Sequence, residues 1–135
     1  MKKLIIISAA VILGLIVILN TSMVADQAMA WVSAHPKDPD APEILYRAAR
    51  WCDLLGSGDQ AAVVYKKLYE NYPDRADLCA PALYYLGSDL ANGTYIVGIK
   101  KQALPYLGIV MNQYASQKEW CTKAKQLYDE VDAVH

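Results

Sequence analysis

Three times along this chain a segment with helical apolar spacing closes on a ring residue followed by a helix breaker or a small residue. The phrases are Ser33-Ala34-His35-Pro36, Glu70-Asn71-Tyr72-Pro73 and Asn112-Gln113-Tyr114-Ala115. From Pro36 to Pro73 is 37 residues and from Pro73 to Ala115 is 42, room for two helices and a turn in each unit. Recurrence at such a period restricts the fold strongly, because a helical hairpin of that size buries its apolar face only against copies of itself. The expected fold class is all-α, a short stack of helical hairpins.

Within each unit the apolar residues fall on helical faces. Ile44, Leu45, Ala48, Ala49, Cys52 and Leu55 make one face, with Glu43, Tyr46, Arg50 and Asp53 elsewhere around the cylinder. Pro42 suits a first helical turn, Gly56-Ser57-Gly58 stops the helix, and Asp59 is expected to cap the next one. That second helix carries Ala61, Ala62, Val64, Tyr65, Leu68 and Tyr69 on its apolar face.

The N-terminus is of another kind. Met1-Lys2-Lys3 precedes sixteen uncharged residues, Leu4 to Leu19, and the uncharged run continues to Ala25, 22 residues in all. As one helix this measures about 33 Å, enough to span a hydrocarbon core. Residues 1–23 therefore read as a transmembrane signal-anchor. The two lysines belong on the cytoplasmic side, which places the remainder outside the inner membrane, on the periplasmic side of a bacterium. A second reading is a cleaved secretory signal ending at Ala28-Met29-Ala30, with a secreted product.

The stretch from Pro42 to Pro73 resembles a tetratricopeptide repeat. Leu45, Ala49 and Cys52 match the first helix's core positions, Gly56 the turn, Ala61, Tyr65 and Leu68 the second helix's packing positions, and Pro73 the terminal proline. The next unit matches with Leu83, Leu86, Gly87 and Leu90, then Ala103, Leu107, Val110 and Ala115. It departs in a lengthened connection within Ala91 to Gln102, and in Pro105, which makes its second helix begin late or bend. Trp120, Ala124, Leu127 and Val131 resemble one more first helix, while Val24, Ala28 and Trp31 read as an isolated second helix. The resemblance thus divides the chain into a half repeat over 24–36, repeats over 37–73 and 74–115, and a capping helix over 117–134. In style the repeats are similar to membrane-anchored periplasmic repeat proteins of the bacterial envelope, of the translocon-associated and outer-membrane-assembly types. That resemblance implies a scaffold or adaptor that binds other proteins, or an accessory subunit built permanently into a membrane complex. It also implies that Tyr46, Arg50, Asp53, Tyr84, Ser88, Asn92, Lys125 and Tyr128 line the concave, partner-binding face, the competing reading being a merely solvated surface.

Other chemistry finds little purchase. Thirteen basic against fourteen acidic residues, without a basic cluster beyond Lys66-Lys67 and Lys100-Lys101, offer nothing to a phosphate backbone, so nucleic acid is not an expected partner. The cysteines form no C-x-x-C, and no phosphate loop, H-E-x-x-H or G-x-S-x-G occurs, so no catalytic residue, metal ligand or cofactor is expected. Cys52 falls on a core position; Cys79, expected to precede its helix, and Cys121 are candidates for a disulfide between neighbouring helices, with free thiols as the default. His35 and His135 have turn and tail positions, and Asn92-Gly93-Thr94 reads as a turn rather than a glycosylation acceptor. In the lengthened connection, Tyr95, Ile96 and Val97 either fold back over the stack or dock on a partner.

Cleavage near Ala30 would remove most of the first half repeat, which favours the anchor. Sequencing the N-terminus of the mature protein from membranes is expected to return the first residues of the chain, and a product beginning at Trp31 would overturn this.

Overall fold

The computed structural model describes residues 1–19, 21–92 and 100–133. Its regular structure, among the described residues, is helical throughout: α1 (Lys2–Leu19), α2 (Thr21–Ala34), α3 (Ala41–Leu54), α4 (Gly58–Asn71), α5 (Ala76–Asn92), α6 (Ala103–Gln113) and α7 (Lys118–Asp132). Each helix from α2 to α7 packs on the next, and α2 also touches α4, α3 touches α5, and α5 touches α7. The result is a two-layer stack of antiparallel hairpins, with α3, α5 and α7 side by side in one layer.

Local chemistry sets the boundaries. Pro42 lies in the first turn of α3, where its missing N–H has no helical partner to lose. At the other end the Ser57 N–H donates to the Cys52 carbonyl at 2.8 Å and the Gly56 N–H to Asp53 at 3.0 Å. This six-residue closure requires a left-handed residue, and Gly56 supplies it with φ of 81°. The tight turn starts α4 at Gly58, so Ser57 holds the cap position and Asp59 sits in the first turn, not at the cap as expected. There its carboxylate still faces the positive end of the helix dipole. Pro105 likewise falls in the first turn of α6, so that helix begins late and does not bend around it.

Apolar burial follows the hairpins. Leu45, Ala49 and Cys52 of α3, Ala61, Val64, Tyr65 and Leu68 of α4, and Leu83, Leu86 and Gly87 of α5 are buried, as are Leu107 and Val110 of α6 and Ala124 and Val131 of α7. Gly87 marks the closest approach: a Cβ there would stand 2.7 Å from Leu107 Cδ2. Three expectations need correcting. Ala115 follows the end of α6 and is exposed, the buried place being taken by Tyr114. Trp31 lies off the packing face of α2, stacked on His35 with ring centroids 4.6 Å apart, while Ala25 and Val32 are buried instead. Cys79 lies inside α5, because the Arg75–Asp77 pair, at 3.0 and 3.1 Å, begins that helix at Ala76 and the helix runs on through Pro81.

The three closing phrases are joined to one another. Tyr72 donates its hydroxyl to the Pro36 carbonyl at 2.8 Å, and Tyr114 donates to the Pro73 carbonyl at 2.6 Å. The next helix returns the contact, since Cys79 Sγ donates to the Tyr72 carbonyl and Cys121 Sγ to the Tyr114 carbonyl, both at 3.1 Å. Tyr72 with Cys79 and Tyr114 with Cys121 thus make one device repeated at two hairpin junctions. This geometry corrects the disulfide candidate: Cys79 and Cys121 are not joined but occupy equivalent seats, each turned to its own tyrosine carbonyl.

The N-terminal part also differs from expectation. Among the described residues no helix is long and apolar enough to cross a membrane. The uncharged run over Leu4–Ala25 is divided between α1 and α2, with Asn20 outside the described residues. The 16 uncharged residues of α1 measure about 24 Å against the ~30 Å of a hydrocarbon core. Around α1 the apolar side chains stand free, from Leu4 at 70% exposure to Ile16 at 49%.

The tyrosine clasps are expected to contribute unequally. Tyr114 is buried, so Tyr114→Phe leaves the Pro73 carbonyl with less access to water and should cost about 1–2 kcal/mol. Tyr72 is only half-buried with an exposed bond, so Tyr72→Phe should cost less, because water replaces the donor. Thermal unfolding of the two variants checks this, and a larger loss from Tyr72→Phe would contradict it.

Candidate partner-binding surface

The layer of α3, α5 and α7 gathers aromatic rings into one row. Tyr46 of α3 lies 6.5 Å from Tyr65 of α4, and Tyr65 lies 6.1 Å from Tyr85 of α5. Tyr84 and Tyr85 meet at 5.7 Å, and both touch Trp120 of α7, at 5.7 and 5.5 Å. All these separations lie in the range where aromatic pairs attract beyond their simple burial. Charge is laid on the row at two places. The Arg50 guanidinium stands 3.8 Å over the Tyr85 ring, and Lys123 Nζ stands 4.6 Å over Trp120 while pairing with Glu119 at 3.2 Å.

Beneath the rings is a polar cluster. Tyr65 donates its hydroxyl to Asp53 Oδ2 at 2.7 Å, and Arg50 Nη1 reaches both Asp53 Oδ2 and the Tyr65 hydroxyl at 3.4 Å. Burial, and then the bond to Asp53, hold the Tyr65 phenol far above its ordinary range, so it stays a neutral donor. Across from Asp53 is Asp89 of α5, four residues beyond Tyr85 and therefore on the same helical face. Its carboxyl abuts the start of α4, where a Cβ on Gly58 would stand 3.4 Å from Asp89 Cγ. As a carboxylate, Asp89 would leave Oδ2 buried without a hydrogen-bond partner. Burial first, then the hydrogen bond and charge of Asp53, raise its pKa to about 8 against the opposing pull of Arg50. At neutral pH Asp89 thus keeps its proton.

The residues expected on the partner-binding face separate into groups. Tyr46, Arg50 and Tyr84 join the ring row. Asp53, with its side chain only 12% exposed, faces inward and serves the cluster. Asn92 donates to Ser88 at 3.1 Å, one turn apart at the end of α5. Lys125 pairs in the open with Asp129 at 3.2 Å, and Tyr128 lines a depression against α6 with Leu104, Ile109 and Gln113. Tyr95, Ile96 and Val97 lie outside the described residues. Three members escaped the sequence: Tyr85, Asp89 and Trp120. The i, i+4 spacing of Tyr85 and Asp89 was visible, but not the helices that would face them.

Among the described residues, no three of His, Cys, Asp and Glu are grouped so as to hold a metal ion. Stacking and cation–π contact are what the row offers a ligand. No family model, curated protein or solved structure matches the chain.

The elevated Asp89 pKa fixes a pH dependence. The folded state keeps a proton that the unfolded chain releases near pH 4, so this stabilisation is complete below about pH 4 and is lost as pH rises through about 8. Asp89→Asn, which keeps a donor without a charge, should unfold at a higher temperature than the unsubstituted protein at pH 9 and match it near pH 4. Melting curves that differ equally at both pH values would contradict this.

Proposed function

We propose that the chain is a membrane-anchored adaptor of the tetratricopeptide-repeat kind, with its stack outside the cytoplasm and its ring row holding a segment of another protein. The observation that carries this is the contiguity of Tyr84, Tyr85 and Trp120 with Arg50 across α3, α5 and α7, with Tyr46 joined to them through the buried Tyr65 of α4. Tyrosine, tryptophan and arginine are the side chains on which protein interfaces concentrate their energy, because they give large contact area with a polar tip at low entropic cost.

The anchor rests on α1. Its apolar side chains are exposed from Leu4 to Ile16, and lipid is the solvent that favours such a helix. Its shortness is met by local thinning of the bilayer and by Lys2 and Lys3 extending to the headgroups on the cytoplasmic side. A permanent accessory subunit is the second reading, favoured by the same bare helix, which would then pack against other transmembrane helices.

Crosslinking in intact membranes, with mass-spectrometric identification of partners, separates the two. With the adaptor, the Tyr84→Ala/Trp120→Ala double variant should lose crosslinked partner about 30-fold, the effect of about 2 kcal/mol at a hot spot, while circular dichroism shows the helices intact. A stoichiometric partner that survives salt, depends on α1 and ignores the ring substitutions would replace the adaptor by the subunit.

A further inference from the structure

The two ends of the stack differ in what they expose. Helices α2, α3 and α4 are each 14 residues long and antiparallel in turn, so the start of α2, the end of α3 and the start of α4 lie level. The tyrosine clasps, with Pro36 and Pro73, occupy the opposite end. Leu19 and Thr21 are two residues apart, at most about 7.6 Å, so α1 finishes beside the first of these ends. There Met23, in the first turn of α2, is 53% exposed, and near the end of α3 Trp51 is 48% and Leu54 72% exposed. Trp31 stands ten residues along α2 from Thr21, about 15 Å away along the axis, and Trp120 lies in the first turn of α7, at the clasp end.

We propose that the end of the stack beside α1 is a lipid contact, with Met23, Trp51 and Leu54 seated in the headgroup layer of the bilayer that holds α1. The inference rests on α1 being the anchor, and it follows from that helix's length. With Lys2 and Lys3 at one face of the bilayer, an uncharged segment of about 24 Å ends no higher than the far surface of a ~30 Å hydrocarbon core. Headgroups add roughly 5–7 Å on each side, so the stack begins within them. Side chains standing there meet water and hydrocarbon together, and tryptophan suits such a boundary with an apolar body and an indole N–H. Leu54 and Met23 add bare apolar area on either side of it. Charge does not draw this end down: Lys100 and Lys101, before α6, are outnumbered by the exposed Asp26, Asp59, Asp129, Glu130 and Asp132. The last three end α7, which packs on α5 and α6 away from α2. The contact is therefore apolar, confined to the corner of α2 and α3, and insensitive to salt.

Tryptophan emission of the full-length protein in vesicles of phosphatidylcholine, brominated at the headgroup end of its acyl chains, tests this. Trp51 is the ring within reach of the bromine, so part of the emission should be quenched, equally at low and high salt. Trp51→Phe, a change at a half-exposed position, should abolish the quenching while circular dichroism stays unchanged. Protein that floats with the vesicles but shows quenching unaltered by Trp51→Phe, or none, overturns the contact and leaves the anchor standing. Protein that does not float with them removes the anchor and the contact with it. A Trp51 shielded from iodide yet untouched by brominated lipid assigns the patch to another protein chain and also overturns the proposal.

Discussion

The stack depends on how one hairpin is fixed to the last, and here that falls to a tyrosine at the end of each second helix. A helix leaves its last carbonyls unsatisfied, and a chain turning sharply at a proline leaves another. Tyr72 and Tyr114 answer this by reaching back to the Pro36 and Pro73 carbonyls, while their own carbonyls accept from Cys79 and Cys121. Each junction thus ties three successive elements, and the apolar faces are brought to register by directional bonds as well as by fit. Hydrophobic contact alone is non-directional and would tolerate a slipped hairpin.

Because the junctions fix the spacing of α3, α5 and α7, they also determine what those helices present side by side. The ring row crosses that layer with Tyr65 of α4 behind it, and no single helix carries more than two of its five rings. Close approach between the layers makes the same demand from behind, where Gly87 leaves room for Leu107. The fold's requirements and those of the surface meet at Tyr65, which is fully buried yet supplies both a ring to the row and a hydroxyl to Asp53. A phenylalanine would fill that space but leave the Asp53 carboxylate short of its shortest hydrogen bond.

Aromatic usage fits this construction. The chain has ten tyrosines and no phenylalanine. In a structure only two helices thick, a ring seldom lies far from a polar group or from water, so a hydroxyl on each ring finds a use that a deep core would not allow.

The sequence by itself determined the helical class, the hairpin unit and its punctuation, because the 3.6-residue periodicity and the turn residues act locally. Gly56 is the clearest case: a left-handed residue is needed there and the chain offers one. What only the tertiary structure decided is pairing across helices. Tyr85, Asp89 and Trp120 carry no local mark of a shared surface, and the tyrosine carbonyls to which Cys79 and Cys121 turn lie on another helix end. Asp53 was legible as a polar position on α3, but the Tyr65 hydroxyl that turns it inward comes from the next helix. Contacts of this kind depend on distances between segments far apart in the chain, which no single helical face encodes.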